Sequence, residues 1–344
     1  MHRDGSGVVM VTGASAGIGR AVATAFGEMG WSVGLLARGR DRLESAAREV
    51  ERAGGRALVL QADVANPDDV DEAADRLVAA FGGVDVWVNN AMATIYAPVV
   101  ELTPAEIRRV TDVTYLGQVH GTLAALRLMR PADRGTIVQV GSALAYRSIP
   151  LQSAYCAAKA AVRGFTDSLR SELLHEESGI RLTMVQLPAV DTPQFDWARS
   201  HLPRALQPVP PIHEPHGIAG EIVRAAIEAP RELWIGKPAI EAILGTMVAP
   251  SLMDRMMARR AWPGQMTEEP AKPRPDNLFE APPGDPGAAG RFGAHATARG
   301  LSETTVRAGL GLACTAALVG VSALAYRFGQ RRSRALLRVG RDAR

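Results

Sequence analysis

The chain has 344 residues, of which 47% are hydrophobic, so it is long enough for one large α/β domain with an appendage and can fill a sizeable core. The net charge of +3 arises in the last 18 residues, whose seven Arg and one Asp give +6 and leave −3 for the other 326, so the charge does not mark a nucleic-acid-binding domain. The two cysteines form no disulfide framework and the seven His show no ligand spacing, so we expect a reducing compartment and no metal.

Seven short apolar runs alternate with amphipathic stretches along the chain, which is the pattern of βα units. Strands are predicted near residues 8–12, 33–37, 57–61, 84–88, 135–141, 181–187 and 232–236, and helices begin around Gly17, Asp41, Pro67, Pro104, Ser153 and Glu214. The alternation predicts an α/β fold with a doubly wound, Rossmann-like parallel sheet of about seven strands. In such a sheet the ligand lies at the carboxyl ends of the strands.

The first βα unit contains a glycine-rich turn, Thr12-Gly-Ala-Ser-Ala-Gly-Ile-Gly19. Gly13 can take the tight turn, Gly17 lets the backbone approach a pyrophosphate, and Gly19 allows the helix to pack closely on the sheet. The free N–H groups at the start of the helix then face the phosphates. The Gly-x3-Gly-x-Gly spacing differs from the commonest dinucleotide form, and an ordinary glycine-rich turn is the alternative.

The end of the second strand indicates which nicotinamide cofactor is used. A site for NAD usually has an acidic residue there, but the chain has Ala37 at this place. Arg38, with Arg40 or Arg42, can instead meet the 2′-phosphate of NADP with a guanidinium fork. A solvated basic turn is the alternative, and it explains Arg42 better than Arg38. We therefore predict NADP(H) rather than NAD(H).

Tyr155 and Lys159 stand four residues apart, with Ser142 thirteen residues before the tyrosine. On a helix this i, i+4 pair shares one face, so the Lys159 ammonium can favour the ionised phenol. A phenol titrates near pH ~10, and a neighbouring cation is the simplest way to lower that pKa for proton transfer at neutral pH. A single pair of this kind is also typical of an exposed helix face.

The chain resembles the classical short-chain dehydrogenase/reductase family over about residues 7–240. Five motifs carry the resemblance: Thr12 to Gly19, Asp63-Val64, Asn89-Asn90-Ala91, Ser142, and Tyr155 with Lys159. The resemblance implies that Tyr155 exchanges a proton with the substrate oxygen and that Ser142 hydrogen-bonds this oxygen. It also implies that Lys159 lowers the pKa of the tyrosine and binds the nicotinamide ribose.

The motifs and the resemblance together define the expected contacts with NADP(H). These are Gly13, Ser15, Gly17, Ile18, Gly19, Arg38, Asp63, Val64, Asn89, Ala91, Tyr155, Lys159, Val190 and Thr192. The expected partners are a small-molecule carbonyl or alcohol substrate and a second copy of the chain in a homo-oligomer, with no nucleic acid.

The sequence departs from the family pattern at three places. Thr114 stands where the family usually has an Asn that holds a proton-relaying water; its hydroxyl still hydrogen-bonds with a different reach, so Thr114 is a fourth catalytic candidate. Met92 replaces a Gly beside the cofactor, and Leu187 and Pro188 replace the usual Pro and Gly after the sixth strand. None of these changes removes a catalytic group.

The stretch from Pro193 to Pro215 carries six large apolar residues and several prolines that exclude regular helix. A long irregular segment after the sixth strand is typical of a lid over a hydrophobic substrate. A structural loop that packs on the domain is the alternative, and the two stay open.

Three regions are predicted: a short-chain dehydrogenase domain at 1–261, a Pro/Gly-rich linker at 262–302 and an apolar helix with an Arg-rich tail at 303–344. Truncation near Gly264 is therefore expected to leave an active enzyme. Residues 308–328 carry one charge, Arg327, and are long enough to span a bilayer, although a buried or amphipathic helix is the alternative. We expect no signal peptide and a cytoplasmic catalytic domain, with the last helix spanning, lying in, or re-entering the membrane.

The sequence thus predicts an NADP(H)-dependent oxidoreductase that interconverts a ketone and a secondary alcohol, both lipophilic, with a tyrosine as general acid/base. The alternative is a non-catalytic NADP(H)-binding sensor or scaffold at the membrane, which the changes at Thr114 and Met92 leave open.

Overall fold

The computed structural model describes residues 7–297, without the side chains of 237–239, 295 and 297. Its central sheet begins with Val8–Thr12, a run of β-branched and apolar residues that is buried on both faces, as an interior strand of a parallel sheet requires. Alternate side chains of this strand enter two different cores, one around Met10 and one around Val11.

Seven parallel strands form this sheet within the described residues. They are β1 (Val8–Thr12), β2 (Ser32–Ala37), β3 (Arg56–Gln61), β4 (Val86–Asn89), β5 (Gly135–Val140), β6 (Ile180–Gln186) and β7 (Glu232–Trp234). Their order in space is β7-β6-β5-β4-β1-β2-β3. The predicted doubly wound sheet is confirmed, and each predicted strand lies within two residues of the observed one at either end.

Helices cover both faces of the sheet. They are α1 (Gly17–Glu28), α2 (Arg40–Arg52), α3 (Pro67–Phe81), α4 (Pro104–Thr111), α5 (Gly117–Met129), α6 (Ser153–His175), α7 (Gln194–Trp197), α8 (Pro215–Glu228), α9 (Lys237–Val248), α10 (Pro250–Met256) and α11 (Trp262–Gly264). Helices α1, α2 and α8 enclose one core, and α3, α5 and α6 enclose the other. The sequence predicts a single helix that begins near Pro104, where the structure has both α4 and α5. A π-helical turn, Asp112–Leu116, joins these two helices without a break.

The predicted lid, residues 193–215, is a packed segment. It holds α7 and three short strands: Arg199–Ser200, Arg204–Leu206 and Ile212–His213. Phe195, Leu202 and Leu206 are buried in a small core of their own with Tyr96 and Leu151. Residues 198–214, which contain the four prolines expected to exclude regular helix, form no helix.

The predicted linker, residues 262–302, is not an extended connection over its described part. Met266–Pro270 forms a strand with Arg204–Leu206, and Ala296–Thr297 pairs with Ile212–His213. The Leu278 side chain is fully buried in the main core. The Pro- and Gly-rich composition predicts little core because composition describes only the average of a segment. Here single residues such as Leu278 attach the segment to the domain.

The predicted apolar helix and Arg-rich tail, residues 303–344, lie outside the described residues. Between residues 7 and 297, no helix is both long and apolar enough to cross a membrane. The membrane prediction for 308–328 therefore stays a prediction.

Candidate active site

A cavity of about 820 Å³ runs along the carboxyl ends of the strands. Most of the predicted cofactor contacts line it: Gly13, Ser15, Gly17, Ile18, Arg38, Asp63, Val64, Ala91, Tyr155, Lys159, Val190 and Thr192. The predicted cofactor contacts Gly19 and Asn89 do not line it, and neither does the catalytic candidate Thr114. The topology thus collects residues from several loops at one sheet edge, as expected for this fold.

The glycine turn leaves room for a ligand because side chains are excluded from it. Gly13 and Gly17 have φ values of +68° and +57°, in the left-handed region that favours glycine. A Cβ at Gly13 would lie 2.8 Å from the Ala91 Cα, and one at Gly19 would lie 2.3 Å from the Gly13 oxygen. Gly19 therefore serves the packing of α1 against the turn and has no contact with the cavity.

Hydrogen bonds fix the loops after β1 and β4 to each other. The Thr12 hydroxyl oxygen accepts the N–H groups of Asn90 at 2.9 Å and Ala91 at 3.0 Å. The Asn90 side chain donates to the Thr12 carbonyl at 2.9 Å. These bonds hold Ala91 beside Gly13 at the floor of the cavity.

The predicted cofactor contact Asn89 lies in the core. Its side-chain oxygen accepts the indole N–H of Trp87 at 2.9 Å, and its amide donates to Thr122 at 3.0 Å. Asn90, which was not predicted as a contact, lines the cavity instead. Successive side chains at the end of a strand point to opposite sides, so the pair Asn89-Asn90 can present only one of them to the ligand.

Ser142, Tyr155 and Lys159 are buried at one end of the cavity. The Ser142 hydroxyl oxygen caps a short helical turn by accepting the Leu144 N–H at 3.1 Å. The Lys159 ammonium donates to the Val140 carbonyl at 2.6 Å and lies 5.8 Å from the Tyr155 ring centroid. The helical i, i+4 spacing therefore places phenol and ammonium together, as predicted.

Burial dominates the ionisation of both groups. It raises the pKa of Tyr155 above its usual value, and the hydrogen bond with Ser142 opposes this shift. Burial also lowers the pKa of Lys159 to about 7. Desolvation acts against both charged forms, so the net shift of the Tyr155 pKa is upward, and the lowering of this pKa by Lys159 stays a prediction.

Thr114 is not brought to this end of the cavity. Its hydroxyl donates to the Ala93 carbonyl at 2.8 Å and accepts the Ala93 N–H at 2.9 Å, and the residue is fully buried. Both of these hydrogen bonds are made with the backbone of the loop after β4. These contacts support a role in holding that loop rather than in relaying protons to Lys159.

Two arginines lie at the other end of the cavity. Arg38 donates to the carbonyls of Asn277 at 2.5 Å and Phe279 at 2.8 Å. Burial, followed by the repulsion of Arg109, lowers the pKa of Arg38. Arg42 is buried, so the alternative of a solvated basic turn does not hold for it.

The other charged residues near these arginines differ in whether they line the cavity. Arg40 is exposed and pairs with Glu44 at 2.9 Å, so it does not reach the cavity. Asp63 lines the cavity and forms an ion pair with Arg109 at 2.5 Å. Of the basic residues considered for a 2′-phosphate, only Arg38 and Arg42 line the cavity.

Around Tyr155 the cavity wall is mainly apolar. It includes Met92, Tyr96, Leu144, Ile149, Phe195, Val209, Met253, Met256 and Met257. The polar Gln152 donates to the Gln265 side chain at 2.7 Å, and Gln265 donates to the Pro150 and Ala261 carbonyls. The predicted lid segment contributes Phe195 and Val209, so it both packs on the domain and shapes the cavity.

The residues present fit a nicotinamide dinucleotide. The cavity volume falls within the ~300–1,000 Å³ typical of ligand sites. The glycine turn provides a surface without side chains at the N-terminus of α1, which suits a pyrophosphate. Arg38 and Lys159 supply cationic donors at opposite ends of the site.

Comparisons with known proteins identify relatives of the chain. The family model for short chain dehydrogenases matches residues 7–202. The uncharacterized oxidoreductase YxnA of Bacillus subtilis is 33% identical over 280 residues, which are 80% of this chain and 78% of that protein. The cis-4-hydroxycyclohexanecarboxylate dehydrogenase of Sinomonas cyclohexanicum is 36% identical over 228 residues, 64% of this chain and 90% of that protein.

Two solved structures resemble the chain in fold and sequence. An alcohol dehydrogenase from the archaeon Thermococcus sibiricus, complexed with 5-hydroxy-NADP, has a TM-score of 0.57 and 29% identity and covers 67% of this chain and 95% of its own. A short-chain dehydrogenase from Streptomyces avermitilis has a TM-score of 0.62 and 27% identity and covers 74% of this chain and 99% of its own. The likeness therefore extends over most of the chain.

Proposed function

The chain belongs to the short chain dehydrogenase family of oxidoreductases, and we propose that it uses NADP(H) to interconvert a lipophilic ketone and its secondary alcohol. The observation that carries the proposal is the placement of Ser142, Tyr155 and Lys159 at the apolar end of a cavity whose other end holds arginines. Each group then has a role that its surroundings support.

A bound nicotinamide cofactor supplies or accepts the hydride. Tyr155 donates its proton to the carbonyl oxygen in reduction and takes it back in oxidation. Because burial raises the pKa of Tyr155, the protein alone keeps the phenol protonated at neutral pH, which is the form needed for reduction. Ser142 donates a hydrogen bond to the same oxygen, and the Lys159 ammonium stabilises negative charge on the phenol.

The choice of NADP(H) is supported by the arginine end of the cavity. Ala37 offers no carboxylate to the ribose, whereas Arg38 and Arg42 bring guanidinium groups to the cavity wall. A structural neighbour is described with a bound 5-hydroxy-NADP. A 2′-phosphate at this place would meet cationic donors, while the unmodified ribose of NAD would leave them without an anionic partner.

The experiment is a panel assay that follows NADPH consumption with lipophilic ketones, beginning with cyclic ones, because a relative is named as a dehydrogenase of a hydroxycyclohexane carboxylate. We expect at least one apolar cyclic ketone to be reduced, and the same enzyme to prefer NADPH over NADH. Turnover with NADH alone would contradict the cofactor proposal, and turnover confined to small charged ketones would contradict the lipophilic substrate.

A non-catalytic NADP(H) sensor is the second candidate. The observations that favour it are the Met92 side chain in the cavity and the Thr114 hydroxyl that is engaged with Ala93. Under this alternative the protein binds NADPH but consumes it no faster than its Tyr155→Phe variant with every ketone in the panel.

We also propose that the catalytic domain works in the cytoplasm as a homo-oligomer and that residues 308–328 hold it at a membrane. Ile107 on α4 and Leu123 on α5 are exposed apolar side chains that a partner copy would cover. The length and composition of 308–328 support the anchor. Full-length protein that stays in the soluble fraction at low salt without detergent would contradict the anchor.

A further inference from the structure

The segment of residues 276–290, called the strap here, crosses the sheet edge that carries the glycine turn. Its beginning is fixed on the domain in three ways. Asp276 pairs with Arg199 at 2.9 Å, and the Leu278 side chain is fully buried in the core. Arg109 of α4 also donates to the Leu278 carbonyl at 2.9 Å. The strap therefore starts from a rigid point.

The middle of the strap lies on the two arginines of the cavity. Arg38 donates to strap carbonyls, as described above, and Arg42 donates to those of Pro283 at 2.9 Å and Gly284 at 2.7 Å. A guanidinium has five N–H donors, so carbonyl bonds to two of its nitrogens leave donors for an anion. Because Arg38 also lines the cavity, these bonds hold its guanidinium at the cavity wall.

The end of the strap is held by a clasp of three side chains, Arg20, Ser45 and Asp285. Arg20 of α1 is buried and forms an ion pair with Asp285, and the Ser45 hydroxyl donates to Asp285 at 2.5 Å. The Arg20 guanidinium holds the pKa of Asp285 at about 2, so the carboxylate is charged at neutral pH. Next to the clasp, the Gly17 N–H donates to the Gly287 carbonyl at 3.2 Å.

Strap residues form part of the cavity wall without filling the cavity. Asn277, Ala281 and Pro282 line the same cavity as Arg38 and the glycine turn, and its volume with the strap in place is about 820 Å³. The strap thus lies over the half of the site that is opposite Tyr155. In a dinucleotide bound with its nicotinamide near Tyr155, this half receives the adenosine.

We propose that the strap is a part of the cofactor site that closes over the adenosine half of NADP(H), and that the cofactor exchanges only when the clasp opens. The inference rests on the proposed use of a nicotinamide cofactor. It assigns to Asp285, Ser45 and the strap carbonyls a role in retaining the cofactor and in orienting Arg38 toward the 2′-phosphate.

The test measures NADPH release from the full-length protein by stopped-flow fluorescence, with excess NADP⁺ as the displacing ligand. The variants are Asp285→Ala, which removes the clasp carboxylate, and Ser45→Ala, which removes one of its hydrogen bonds. Arg20 keeps Glu49 as a partner at 2.8 Å, so Asp285→Ala leaves no unpaired buried charge. Glu280→Ala is the matched control because Glu280 is exposed on the same strap and does not line the cavity.

Loss of a hydrogen-bonded charge pair is expected to speed release roughly tenfold in Asp285→Ala, with a smaller increase in Ser45→Ala and none in Glu280→Ala. Equal release rates in all four proteins would overturn the strap proposal. Faster binding with unchanged release in Asp285→Ala would also overturn it, since the strap would then block the site. Failure of the wild type to bind NADPH at all would instead contradict the proposed cofactor.

Discussion

At the scale of single residues, burial has the largest effect on the ionisation of Tyr155 and Lys159. Tyr155 and Lys159 are both buried, and each is pushed toward its neutral form. The spacing of the two residues could be interpreted from the sequence because helical geometry is local. The direction of the pKa shifts could not, because it depends on the walls that distant segments build around the pair.

A first prediction concerns the pH dependence of stability. The folded-state pKa of Lys159, about 7, lies below the usual value of a lysine in an unfolded chain, so unfolding takes up a proton between these two values. The burial penalty is therefore absent at high pH and fully present below about pH 7. Lys159→Met removes this penalty. When the pH is lowered from 9 to 6, the free energy of unfolding of the variant should therefore rise relative to that of the wild type by on the order of 2 kcal/mol. Urea unfolding at both pH values measures this gain, and a constant difference between the two proteins would show that Lys159 titrates normally.

A second prediction concerns Arg38. Its replacement by Ala should weaken NADPH binding by ~1.5–3 kcal/mol and leave NADH binding nearly unchanged, because only the 2′-phosphate contact is lost. Titration of intrinsic fluorescence with each cofactor provides the affinities. Arg40→Ala is the control, since Arg40 is exposed and pairs with Glu44. An equal loss of affinity for NADPH and NADH in Arg38→Ala would show that the arginine only holds residues 277–279 in place.

At the scale of elements, local patterns predict the strands and the glycine turn well. β1 to β7 are short apolar runs between turn residues, and each was placed from this pattern alone. The role of an individual motif residue is harder to predict. Asn89 and Asn90 are equivalent in the sequence, and only the register of β4 decides which side chain faces the cavity. The packed part of the linker could not be predicted, because its contacts join residues more than 200 positions apart, such as Arg38 and Phe279.

A third prediction tests the packing of the glycine turn. Gly19→Ala places a Cβ 2.3 Å from the Gly13 carbonyl oxygen, which the backbone cannot avoid without moving. We expect a loss of roughly 1–3 kcal/mol in the free energy of unfolding, with weaker NADPH binding because the turn shifts. Gly220→Ala on α8 has open space around its Cβ and is the control; it should be neutral or stabilise by ~0.5–1 kcal/mol. Equal melting temperatures of Gly19→Ala and wild type would show that the turn is not tightly packed.

At the scale of the whole molecule, the cavity is built from segments at both ends of the described chain. The glycine turn comes from its beginning, and the strap closes the same cavity from residues beyond 276. The sequence predicts a domain boundary at residue 261, but packed residues continue beyond it: Met266–Pro270 pairs with Arg204–Leu206, and Leu278 is buried in the core. The change in composition after residue 261 therefore reveals neither the later strand Met266–Pro270 nor the packing of Leu278.

A fourth prediction follows for truncated chains. Truncation after Gly264 removes the strand Met266–Pro270 and the buried Leu278, so the free energy of unfolding should fall by at least about 2 kcal/mol and NADPH binding should weaken. Truncation after Gly300 keeps these contacts and should leave both properties near those of the full-length protein. Denaturant unfolding measures the stability of the two truncated chains, and cofactor titration measures their affinity for NADPH. A Gly264 truncation that equals the longer chain in both measurements would restore the interpretation of a dispensable linker.

The most direct test of the proposed function is the turnover of Tyr155→Phe with bound NADPH and a ketone that the wild type reduces. The variant lacks only the phenolic hydroxyl, so it should bind NADPH with wild-type affinity and lose activity by a factor on the order of 10²–10⁴. Retention of the cofactor together with this loss in kcat is the result expected if Tyr155 is the general acid. A variant that binds NADPH and keeps the wild-type kcat would contradict the account.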